Sequence, residues 1–107
     1  MKELITTTTM EIPGKQILKI LGIAKGNTIR ARHVGRDIAA GFKNLVGGEI
    51  KSYTEMTTQA REEAFNRMVN NAISMGADGI VGIRYSTSMI MTGAAEMLAY
   101  GTAVKLK

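Results

Sequence analysis

A chain of 107 residues with a net charge of +5 and no cysteine has the size of one domain, and it excludes disulfides, thiolate metal centres, iron–sulfur clusters and thiol catalysis. The positive balance permits weak attraction to phosphates and anionic surfaces but says nothing about fold. No apolar run approaches the roughly 18 residues that a bilayer-spanning helix requires, and no apolar signal core follows Met1-Lys2-Glu3, so the cytoplasm is the expected location.

Residues 4–9 are rich in β-branched threonine and read as a strand, placed at a sheet edge or swapped onto a neighbour because its sides are mostly polar. Ile12-Pro13-Gly14 breaks the chain. A strand is predicted over 16–24, with Ile17, Leu21 and Ile23 on one face. Lys25-Gly26-Asn27 signals a turn, and 28–34 can run back as a second strand on which Arg30 and Arg32 share a face. After Gly35, the spacing of Ile38, Phe42, Leu45 and Val46 predicts a short helix over 36–46, which Gly47-Gly48 would stop.

The strongest pattern is a long helix over 52–75. Ser52-Tyr53-Thr54-Glu55 matches a capping box, in which the serine oxygen and the glutamate satisfy free N–H groups reciprocally. Tyr53, Met56, Ala60, Ala64, Met68, Ala72 and Met75 step by three or four along one face, and Phe65, Val69 and Ile73 widen it. Glu63 and Arg67 stand at i,i+4 in the favourable order. Gly76 is the expected residue just past the end, where a positive φ costs glycine nothing. A strand follows over 80–88, then a connection over 89–95, then a last strand over 96–106. That strand carries no charge between Glu96 and Lys105, so both of its faces look coverable. One long helix and one short helix are too little to cover them. The expectation is a homo-oligomer of closed symmetry.

Several of these segments occur in an order and spacing that resemble one family. They are Ile12-Pro13-Gly14, Gly26-Asn27 through Gly35-Arg36-Asp37-Ile38, Gly47-Gly48-Glu49-Ile50-Lys51 with Tyr53-Thr54-Glu55, Ala60-Arg61-Glu62-Glu63-Ala64, Gly76-Ala77-Asp78-Gly79 and Ala99-Tyr100-Gly101-Thr102-Ala103-Val104. Over nearly the whole chain they resemble the YbjQ-like family of uncharacterised bacterial and archaeal proteins, which carries a heavy-metal-binding label. The resemblance implies an α+β fold: a dodecin-like subunit with a small sheet wrapped on one long helix, here with a short extra helix, assembled into a ring of five or a multiple of five. It supplies no reaction and no catalytic residues.

The metal label invites a count of ligands. Zinc sites use cysteine, histidine and carboxylate. Here the one histidine is His33, in the cation-repelling company of Arg30, Arg32 and Arg36, and it reads more readily as a surface or strand residue even if a ring repeats it. Met89-x-Met91, with Met97 near, offers thioethers suited to Cu(I), although methionine more often fills gaps in a core. Asp78, Glu49 and Glu96 have no dense acidic spacing. Arg30, Arg32 and Arg36 are candidates for an anion site, and with Lys25 and Lys43 they make 25–43 a basic segment. The nucleic-acid alternative rests on that segment, but no aromatic residue interleaves the arginines; interface ion pairs are the plainer reading. Arg61, beside the apolar stripe, is expected to be buried and paired, with Glu49 or Glu96 or with a ligand carboxylate or phosphate. No Ser-His-Asp order, Walker loop, GxGxxG or HExxH is present, so an enzyme with an inter-subunit site is the weakest of three classes. The sequence therefore reads as an oligomeric binding or structural protein with a metal ion or small anion between subunits, its cofactor unassigned.

Overall fold

The computed structural model describes residues 3–31, 48–91 and 94–107, and only the backbone at 31 and 48–53. Strand β1 is Ile5–Thr6, β2 is Ile17–Ala31, helix α1 is Gly48–Ser74, β3 is Gly79–Met91 and β4 is Ala94–Leu106. The four strands form one sheet in the order β1-β3-β4-β2. β1 runs parallel to β3, and the other pairs are antiparallel. The α+β class and the sheet laid on a long helix are as expected, and the N-terminal strand takes the edge position beside β3 of its own chain. The expected short helix over 36–46 lies outside the described residues. No helix among the described residues is long and apolar enough to cross a membrane.

The helix buries the stripe that its spacing dictates. Ala60, Ala64, Met68 and Ala72 are sealed against Ala24 of β2 and Met97, Ala99 and Ala103 of β4. Small residues predominate on both sides, so the helix backbone comes close to the sheet. Its end follows the Schellman pattern: the Ala77 N–H donates to the Ala72 carbonyl at 3.1 Å and the Gly76 N–H to that of Ile73 at 2.9 Å. Gly76 sits between them at φ +81°, the conformation for which its position selects glycine. The chain then turns into β3 through Asp78, whose carboxylate accepts from the Leu106 N–H at 2.9 Å.

Three sequence expectations change. The connection expected over 89–95 is mostly strand, because β3 runs to Met91 and β4 begins at Ala94. The helix begins at Gly48, so Ser52 lies a turn inside it and does not cap it. Hydroxyls in this stretch bond back to their own turn: Thr57 and Thr58 both donate to the Thr54 carbonyl, and the helix runs on through them. The predicted turn at 25–27 is also absent, because β2 passes straight through it and pairs with β4 on both sides. Gly26 serves a crossing. A Cβ there would lie 2.2 Å from the Met68 nitrogen and 2.5 Å from the Ala64 carbonyl oxygen, so only glycine lets the helix backbone ride over the strand.

That crossing also closes part of the β2 edge. The Lys25 N–H donates to the Asn71 side-chain oxygen at 3.0 Å, and the Asn27 carbonyl accepts from Arg67 Nη1 at 2.6 Å. Helix side chains thus occupy backbone groups that would otherwise template another strand. Replacing Asn71 with alanine is expected to lower stability by about 1 kcal/mol, read as a shift in the urea midpoint, because the site is open enough for water to take over the N–H.

The described residues cover the other face of the sheet at one end only. Ile12 folds back onto Val81 and Val104, with Ile17 and Leu106 beside them. Directly opposed residues of an antiparallel pair share a face. The register Ile20↔Val104, Ile23↔Thr102, Lys25↔Tyr100, Asn27↔Leu98 and Ile29↔Glu96 therefore sets Ile20, Ile23 and Ile29 on this back face. They are 68%, 69% and 58% exposed.

Candidate functional site

The helix crossing brings together charges far apart in sequence. Glu63 of α1 accepts from the Thr28 hydroxyl at 2.9 Å and from Arg30 Nη2, and it also pairs with Arg67 one helical turn on. Arg30 is therefore a member of an intrachain network, and the expected interface ion pair is met within one subunit. The guanidinium Nε of Arg30 is buried and has no partner among the described residues. Two guanidinium groups share one carboxylate, so the cluster carries a net positive charge. The Thr28 hydroxyl, followed by the charges of Arg30 and Arg67, holds the Glu63 carboxyl below its ordinary value against the opposing effect of burial.

A folded-state value below the unfolded one means that ionised Glu63 contributes stability above the unfolded value and loses it as pH falls through the folded one. Below the usual glutamate range of about 4.3 the wild type should therefore lose stability more steeply than Glu63→Gln. Urea midpoints measured across the acid range read the difference. Parallel profiles would contradict the network.

Arg61 departs from expectation. It lies on the flank of α1, one residue past buried Ala60 and so about 100° round the helix, and is exposed. Its one polar contact among the described residues is with the Thr58 hydroxyl at 3.4 Å. Glu96 does not hold it, since its carboxylate accepts instead from the Asn27 amide at 3.2 Å; the Glu49 side chain lies outside the described residues. Arg61 lines an open groove of about 620 Å³ with Thr58, Glu62, Phe65, Asn66 and, from β3, Tyr85. Helical spacing makes the wall: Thr58, Glu62 and Asn66 form one i,i+4 row, and Arg61 and Phe65 the next. No local signal in the sequence marks Tyr85 as its opposite wall, because that depends on where α1 lies over β3.

Arg32, His33 and Arg36 lie outside the described residues. Met89 and Met91 are both exposed. The register shift between them sets Met89 opposite Ala95 and Met91 opposite Ala94, residues of opposite faces, so the two thioethers do not converge. The Met97 sulfur already accepts from the Thr87 hydroxyl at 3.2 Å. Among the described residues no three histidine, cysteine or carboxylate side chains gather where they could hold a metal ion. The donor set described in one chain does not fit a soft-metal centre.

The fold is shared with a crystal structure from Pediococcus pentosaceus of a protein of unknown function in the DUF74 family. It aligns with a TM-score of 0.66 at 18% identity, covering 97% of this chain and 98% of that one. The chain belongs to the YbjQ family, described as "Putative heavy-metal-binding", and the match spans residues 4–107. It is 58% identical over 106 residues to a UPF0145 protein of Archaeoglobus fulgidus, covering 99% of this chain and 98% of the relative. A UPF0145 protein of Thermotoga maritima is 58% identical over 104 residues, covering 97% and 98%. One from Psychromonas ingrahamii is 56% identical over 104 residues, covering 97% and 99%.

Proposed function

We propose that the protein is a homo-oligomeric binding or structural subunit whose copies meet through the back of the sheet. The supporting observation is the apolar surface that the described residues leave bare on that face, of the kind that marks an interface.

That surface is the row Ile20, Ile23 and Ile29. A second copy is the occupant that suits it. Lys25 and Glu96 border the row on the same face, and in a ring each copy sets this face head to tail against a different surface of the next. The arrangement follows the family resemblance: a closed ring of five dodecin-like subunits, or a multiple of five. A metal ion or small anion in such a ring would take ligands from more than one copy, because the described residues of one chain gather no metal-binding group. Native mass spectrometry with elemental analysis of freshly purified protein tests this reading. A ring mass with retained ligand supports the whole of it; a ring that retains none leaves a structural subunit and removes the binding role.

A further inference from the structure

We propose that the groove between α1 and β3 binds a flat aromatic anion, a ring bearing a carboxylate or phosphate. The site belongs to one chain and does not depend on the assembly. Its volume, about 620 Å³, falls within the roughly 300–1,000 Å³ of small-molecule sites. The charge available there decides the class of ligand. The structure describes four arginine side chains, and three are occupied: Arg30 and Arg67 by Glu63, and Arg84 by the carbonyls of Thr8 and Ile83 at 3.0 and 2.8 Å. Among the described residues Arg61 has only the Thr58 hydroxyl, which leaves most of its fork of donors for a carboxylate or phosphate.

The apolar lining decides the shape. Phe65 is half-buried as part of the helix flank, and Tyr85 is 46% exposed, so each presents ring surface to the groove. Ring stacking against such walls tolerates different ligand rings. Glu62 and Asn66 form the polar row beside them and can accept from ring N–H or amino groups. A neutral aliphatic ligand would leave the Arg61 charge unanswered, and a bare inorganic anion would leave the aromatic lining unused.

Isothermal calorimetry on the full chain tests the site with two anions, 2-naphthoate and adenosine 5′-monophosphate, and their neutral counterparts, 2-naphthamide and adenosine. The first pair represents an aryl carboxylate and the second a nucleotide. At least one anion is expected to bind at submillimolar concentration. Arg61→Gln should weaken that anion by about tenfold or more while leaving the neutral counterpart nearly unchanged. Tyr85→Ala should weaken both members of the pair. Arg61 and Tyr85 are exposed, so both variants should fold, and circular dichroism checks that. Failure of both anions to bind the wild type at millimolar concentration overturns the proposal, as does an Arg61→Gln variant that binds the anion unchanged.

Discussion

Gly26→Ala is expected to destabilise the protein by about 3 kcal/mol or more, or to prevent folding. The added methyl would lie 2.2 Å from the Met68 nitrogen and 2.6 Å from the Arg67 carbonyl carbon, and backbone atoms cannot rotate away. The helix would have to lift from β2. That would loosen Ala64 and Met68, both fully buried, and pull Arg67 and Asn71 from the strand edge they cap. Gly76→Ala is the informative control. Gly76 has φ +81°, but a methyl added there would meet nothing within 4 Å, so its cost is conformational alone, about 1–2 kcal/mol. Urea unfolding of both variants separates the two effects. Equal costs would mean that the crossing is looser than described.

Ile23→Glu is expected to dissociate the assembly while leaving the subunit folded. On an isolated subunit Ile23 is 69% exposed, and substitution at such a position changes stability by about 0.5 kcal/mol or less. In an interface the same carboxylate would be buried without a partner, at a cost of several kcal/mol per contact. The variant should therefore show native-like circular dichroism at the mass of a single subunit. Asn70→Glu, on the exposed side of α1, should keep the wild-type mass. If both variants kept it, the back of the sheet would not be the contact.

These contrasts also mark what the sequence can disclose. The stripe Ala60, Ala64, Met68 and Ala72 is legible because helical periodicity repeats within one segment, and Gly76 because a helix end is a local event. Gly26 misleads because a glycine between Lys and Asn looks the same whether it turns a strand or admits a helix. What distinguishes the two is Met68, 42 positions along the chain. The pair Glu63 and Arg67 is visible at i,i+4, whereas its link to Arg30 requires the crossing itself. Arg61 reads in the sequence as closer to the stripe than it is: one residue beyond Ala60 is about 100° around the helix, enough to move it to a flank. The groove is hidden because Tyr85 joins it only through tertiary placement.

Assembly is the central claim, and sedimentation velocity of the untagged wild type at micromolar concentration tests it most directly. The bare isoleucine row predicts one sharp species at a multiple of 11.5 kDa, and the family resemblance makes five subunits or a multiple of five the expected stoichiometry. A single species at 11.5 kDa, unchanged as concentration rises, would contradict it.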